Sequence, residues 1–259
     1  MKKETKRFEI LFNRHKKRLE KKGVVMFHRM FKEMYASFLK KTKTLPPEKW
    51  YSSVKVIKES QVEEVFLKFY PMFASSALLV RKHLLKQKSA EDELLINTFE
   101  AEMRKIVTTT AGEKITSIVD TTKKILDNQV REVLTIGETE GLGIPQIQKM
   151  LVEKIGVNLK GNVPARARAI AQTEMISASN SAAMEGAKST GLETRKFWST
   201  SGLPGVRTSH NADQEFSDSI GGLEEEEIFP NTGCAYPGDP RGAAAEVIKC
   251  RCTLLIEIV

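Results

Sequence analysis

The sequence predicts an α+β protein, with a predominantly helical N-terminal part and a small mixed α+β domain at the C-terminal end. Three observations carry this. Apolar residues recur at three- and four-residue steps from Phe8 to Ile155, the period of an amphipathic helix. Beyond Gly191 that period gives way to alternation and to the β-branched run TLLIEIV at 253–259. All three cysteines, Cys234, Cys250 and Cys252, fall in this last third, among glycine- and proline-containing loops.

Composition sets limits. A hydrophobic fraction of 41% in 259 residues is enough for a packed core, which excludes a disordered chain. No apolar run reaches the ~20 residues of a membrane span, and none of signal-peptide length follows the charged N-terminus, so a soluble protein made inside the cell is expected, with no membrane partner. Three cysteines are too few for a disulfide framework and their odd number leaves one unpaired, which favours reduced thiols or a metal site. The formal charge of +8 is uneven: residues 1–44 hold fifteen Lys and Arg against four acids, or +11, and the rest of the chain −3.

Taken in order, residues 5–40 place Phe8, Leu11, Phe12, Leu19, Phe27, Met30, Phe31, Met34 and Phe38 on one stripe between basic residues, with an interruption near Gly23. One basic amphipathic helix or two would result. Lys2, Lys3, Lys6, Arg7, Arg14, Lys16, Lys17, Arg18, Lys21 and Lys22 are the candidates for binding nucleic acid or an acidic partner, because each cation that neutralises a phosphate releases a counterion. A solvated helix face is the alternative. Pro46 and Pro47 stop this segment. A second helix is expected from Trp50 to Phe69, with Trp50 in the core, and a third from Met72 to Gln87. Glu91 to Ile136 remains helical, broken near Gly112, and a helical hairpin would bury its two stripes as scaffold.

The segment GETEGLG (137–143) reads as a loop, and Pro145 suits the first turn of a helix through Ile147, Leu151 and Ile155. Neither this loop nor GAKS (186–189) has the spacing of a phosphate loop. Asn162 and Pro164 begin a helix that runs to Lys188 and stops at Gly191, with small residues such as Ala167, Ala171, Ala178 and Ala182 on one side. Small side chains allow close approach, so this helix is expected at the centre of the C-terminal domain. Glu174 falls near the small face, and a carboxylate there needs a partner, read as a structural ion pair with Arg207 or Arg251. Strands are expected at Arg195–Thr200 and Thr253–Val259.

Four segments in order, IAQTEMISASNSA (170–182), FWSTSGLPGVRTSH (197–210), AYPGDP (235–240) and IKCRCTLL (248–255), give residues 143–259 a resemblance to the phage head-morphogenesis family typified by the Mu F protein. Two positions depart from the family pattern: Gln172 stands where arginine is common, and His210-Asn211-Ala212-Asp213-Gln214 lacks the usual aspartate-glycine. The resemblance implies a minor head protein of a tailed phage or prophage, with a structural role in head assembly beside the portal. Its partners would be the portal and capsid or scaffolding proteins, and its place the head interior after assembly in the bacterial host cytoplasm. There the basic segment would meet double-stranded DNA or an acidic portal surface. Three divisions follow: a basic helical arm (1–44), a helical scaffold (45–142) and the head-morphogenesis domain (143–259).

Arg207, His210 and Asp213 are spaced to share one helical face, so His210 could ligate a metal, with Asp213 orienting it or ligating beside it. Cys250-x-Cys252 brings two thiols close, and Cys234 is a candidate fourth donor. The set His210, Cys234, Cys250 and Cys252 suits zinc, although no cofactor is required by this reading. Zinc-binding cysteine pairs more often enclose two or more residues, and two core thiols at a strand start are the alternative. A second function class is a metal-dependent nuclease or other metal-binding hydrolase, with His210 and the cysteines activating water and Arg207 steadying phosphate. The chain lacks the clustered carboxylates or histidines of such sites, so an absence of turnover is the expectation.

Overall fold

A computed structural model describes residues 3–86 and 92–259. The elements in order are α1 (Lys3–Thr42), a 3-10 stretch (Pro47–Val56), α2 (Glu59–Phe69), a 3-10 turn (Tyr70–Phe73), α3 (Ala74–Leu85), α4 (Asp92–Thr110), α5 (Gly112–Glu140), α6 (Ile144–Lys160), α7 (Asn162–Lys188), β1 (Thr194–Ser199), α8 (Thr208–Ile220), α9 (Ala244–Val247) and β2 (Thr253–Ile258). The α+β class holds: the chain is mostly helical, and β1 and β2 pair antiparallel in one small sheet, from Thr194 opposite Ile258 to Ser199 opposite Thr253. None of the described helices is long and apolar enough to cross a membrane. Gln87 and Glu91, the expected ends of two helices, lie outside the described residues.

Two compact units divide the chain, one of Met1–Gly23, Leu67–Thr110 and Ala169–Val259, the other of Val24–Phe66 and Ala111–Arg168. This partition is discontinuous and does not follow the consecutive divisions at 44 and 142. The reason is length: α1 and α7 each contribute one stretch to either unit.

In the second unit α1 supplies Phe27, Phe31, Met34, Tyr35 and Phe38, all buried, and Phe27 meets the Phe66 ring edge-on at 5.7 Å. Arg166 donates to Thr122 Oγ1 at 2.9 Å and Ile118 O at 2.8 Å, with its guanidinium over the Phe31 ring. Trp50 is buried as expected, but within the 3-10 stretch, where its indole N–H donates to Leu45 O. The helix α5 packs on α6 and on that stretch. It continues through Gly137 to a left-handed Gly141, so the loop expected from 137 is shorter. Within the helix Gly137 leaves room for Ile147, whose Cδ1 would lie 2.5 Å from an added Cβ.

In the first unit, α4 packs on α3 and on the Tyr70–Phe73 turn. The helices α4 and α5 therefore belong to different units, where a hairpin was expected. Gly23 does not interrupt α1. It allows close approach to the Phe69 ring, whose nearest carbon would stand 2.5 Å from an added Cβ. At the other end α1 runs beside the sheet: Thr5 Oγ1 donates to Glu257 Oε1 at 2.7 Å, Ser199 Oγ to Glu9 Oε1 at 2.6 Å and Thr253 Oγ1 to Asn13 Oδ1 at 3.0 Å. The first turns of α1 are thus built into the folded unit and do not form a detached arm. Leu11, counted with the apolar stripe, is exposed.

The helix α7 is buried on every side from Ala171 to Met184, further than its one small face required. Its polar side chains are consumed in tying loops and strand to it. Asn180 Nδ2 donates to Pro237 O at 2.8 Å and Cys252 O at 3.3 Å, while its Oδ1 accepts from Leu254 N at 3.1 Å. Ser181 Oγ donates to Tyr236 Oη at 2.9 Å, and Thr173 Oγ1 accepts from Lys249 N at 3.1 Å.

Candidate metal centre

Three elements of the first unit deliver the candidate donors. Arg207 caps α8 in an extended conformation, and the buried face of that helix is His210, Asp213 and Ser217, the three- and four-residue spacing visible in the sequence. Cys250 and Cys252 lie just before β2, fixed by Asn180 on the Cys252 carbonyl and by Cys252 N, which donates to Cys250 Sγ at 3.4 Å. The ring of Trp198, on β1, stands edge-on to His210 at 5.0 Å and to Phe229 at 5.1 Å, closing one side.

One donor atom from each of His210, Cys250 and Cys252 lies within 4.8 Å of the others, so this group could hold a metal ion such as zinc. The residues are 1%, 2% and 2% exposed. His210 Nδ1 is 3.9 Å from Cys250 Sγ and 3.3 Å from Cys252 Sγ. Zinc bonds of roughly 2.0 Å to nitrogen and 2.3 Å to sulfur at a tetrahedral angle require about 3.6 Å between the ligand atoms, a value the two separations bracket.

Of the other expected donors, Cys234 is not in the group. Its thiol points to Thr232 O at 3.7 Å and packs against Gly242, and burial pushes its pKa up to about 11. Nor does Asp213 orient His210: its carboxylate accepts from Asn231 N, Asn231 Nδ2 and Thr232 N, at 2.9, 2.9 and 3.1 Å, and braces the 229–234 loop. Asp239 of AYPGDP does the same work for its own turn, accepting from Ala235 N and Arg241 N.

The group that reaches His210 is Glu246, on α9. Its Oε2 is 3.0 Å from Nε2, at ion-pair distance but off the direction of a good hydrogen bond, and it accepts from Ser209 Oγ at 2.8 Å. A proton on Nε2, facing that carboxylate, leaves the Nδ1 lone pair toward the thiols. Of the paired thiols Cys252 is the more acidic, because it accepts a hydrogen bond from Cys250, whose own pKa that bond and burial raise.

The ion pair expected for Glu174 is not formed with either arginine. Glu174 accepts from the Tyr70 hydroxyl at 2.7 Å, Arg207 donates to Ile248 O at 2.7 Å, and Arg251 is exposed. Tyrosine suits this buried site, where a second charge would have to be desolvated. Burial, then the adjacent carboxylate, raise the Tyr70 pKa well above its ordinary value.

Lys6, Arg7, Arg14, Lys17, Arg18, Lys21 and Lys22 are exposed along α1, as a polyanion-binding face requires, while Lys2 and the side chain of Lys3 lie outside the described residues. Lys16 corrects that set. It is 2% exposed, donates from Nζ to Thr253 Oγ1 at 2.7 Å and sits over the Phe12 ring, and burial lowers its pKa to about 8. It stands four residues after Phe12 and three before Leu19, on the apolar stripe, and that position is the signal that separates it from its neighbours. A second inward lysine, Lys196 on β1, donates to the carbonyls of Glu225, Glu227 and Ala235. No motif marks Glu246, which follows an irregular stretch.

Comparison of the chain with protein-family models, with curated proteins and with solved structures finds no match.

Proposed function

We propose that the chain is a minor head protein of a tailed phage or prophage, acting structurally during head assembly, beside the portal and inside the head. The observation that carries this reading is that the four segments bearing the resemblance meet in one unit around α7. Asn180 of the first segment binds Pro237 of the third and both Cys252 and Leu254 of the fourth, and Trp198 and His210 of the second pack together. Segments that resemble one family and also cohere physically are better support than the same motifs scattered over a surface. Tagged chain isolated from cells producing particles is expected to bring portal protein with it; isolation of the chain free of head proteins would remove this assignment.

Burial weighs against the hydrolase reading. With each donor no more than 2% exposed, a metal held at His210, Cys250 and Cys252 would present no open face to a phosphodiester, so the role is assigned without turnover.

The exposed cations of α1 are the surface proposed to meet packaged DNA or an acidic portal face. Because α1 also supplies core side chains, deleting it would unfold the protein and would not test this surface. Point changes do. Replacing Arg14, Lys17 and Lys21 together by glutamine is expected to weaken binding to double-stranded DNA and to reduce the slope of log K against log salt by about 2 to 3. An unchanged slope would take DNA out of the account of this helix.

A further inference from the structure

From the surroundings of the His/Cys/Cys group we infer that it is a structural zinc site with a built outer layer, in which Glu246 holds His210 and Lys16 faces the two thiolates. The inference is independent of the head-protein reading. Zinc would take Nδ1 of His210 and the sulfurs of Cys250 and Cys252. Binding displaces the two thiol protons to solvent, so that the ion and two thiolates are neutral together. Among the described residues no further His, Cys, Asp or Glu joins the three.

Three features around the group fit this occupant better than a pair of core thiols. A carboxylate 3.0 Å from Nε2 stands where a metal-bound imidazole usually has its outer partner. Buried Trp198 Nε1, on the ring that stands 5.0 Å from that of His210, lacks a hydrogen-bond partner, and a thiolate is a far stronger acceptor than a thiol. Lys16 reaches Thr253, the residue after Cys252, and its buried ammonium lies within electrostatic range of both sulfurs. A cation in that position faces sulfurs that carry more negative charge as metal-bound thiolates than as thiols, and Glu9 also lies within its electrostatic range.

Metal occupancy would then join parts that are distant in sequence. His210 ties α8 to the segment entering β2, Glu246 ties α9 to α8, and Lys16 ties α1 to the same strand. The site closes the first unit as a disulfide would, using reduced thiols.

The test uses the full chain, purified under reducing conditions, with zinc content measured by mass spectrometry and affinity by competition with a chromophoric chelator. One zinc per chain is expected, bound more tightly than about 1 μM. Cobalt in its place should give the sulfur-to-metal charge-transfer absorption and intense visible bands of a tetrahedral thiolate site. Cys250→Ser and Cys252→Ser should each abolish that charge-transfer pattern, and Glu246→Gln should weaken zinc about 10- to 100-fold while leaving the spectrum tetrahedral. Cys234→Ser, remote from the group, should change affinity by less than about twofold. Should the serine variants fail to fold, Glu246→Gln and the cobalt spectrum of the unaltered chain still decide the matter. Folded chain that holds no zinc, or a cobalt spectrum without thiolate bands, overturns the inference, and loss of metal in Cys234→Ser overturns the three-residue ligand set.

Discussion

Replacing Asn180 by alanine is expected to destabilise the protein by about 3 kcal/mol, measured as the shift in urea unfolding followed by circular dichroism. Asn180 is wholly buried, and its side chain alone serves Pro237 O, Cys252 O and Leu254 N. Alanine would leave those buried backbone groups without the Asn180 partner, and a buried polar group without a partner costs about 1–3 kcal/mol. The cavity adds to this, and loosening among the three groups takes some of it back. Aspartate preserves the acceptor for Leu254 but places a carboxylate against two carbonyl oxygens, so Asn180→Asp should be no better than alanine. A loss below about 1 kcal/mol for Asn180→Ala would mean that α7 does not organise the loops around it.

Gly186→Ala is expected to cost about 2 kcal/mol. A Cβ built at Gly186 would overlap the carbonyl oxygen of Ala77 and lie 3.0 Å from Ala77 Cα, so α7 and α3 touch backbone to backbone. Neither contact belongs to a side chain that can swing aside. Overpacking of this kind costs roughly 1–3 kcal/mol or more, against about 1 kcal/mol gained from the higher helix propensity of alanine. Gly112 provides the control, because a Cβ there meets nothing within 4 Å and Gly112→Ala should be neutral or stabilising. Equal effects at the two positions would contradict the close approach of α7 to α3.

Periodicity made most of the fold legible. The buried aromatics of α1, the break at Gly112, the start and stop of α7 and both strands follow from apolar spacing and from proline and glycine placement. What it could not supply was partner choice. Gly23 and Gly137 read as breaks because glycine lowers helix propensity, whereas each sits inside a helix where a neighbouring side chain leaves no room for a Cβ. Whether a glycine breaks a helix or admits a neighbour depends on what packs against it, and that lies elsewhere in the chain.

The candidate site divides the same way. His210, Cys250 and Cys252 were legible from residue type and spacing, and the structure brings them together. Cys234 shares their chemistry but is held away by the 229–234 loop, whose turn Asp213 fixes. Glu246 and Lys16 are ordinary charged residues in sequence. Their roles come from tertiary placement, one beside an imidazole and one turned into the core. Glu174 illustrates the limit of charge complementarity as a guide, since a tyrosine hydroxyl satisfies it where an arginine was expected.

The most direct measurement on the proposed function is quantitative mass spectrometry of heads purified by gradient sedimentation from cells producing particles that encode this chain. The account predicts peptides of the chain in the head fraction at low copy relative to the major capsid protein, in proportion to portal. Heads that contain portal and lack this chain, with the chain confined to slowly sedimenting fractions, would contradict it.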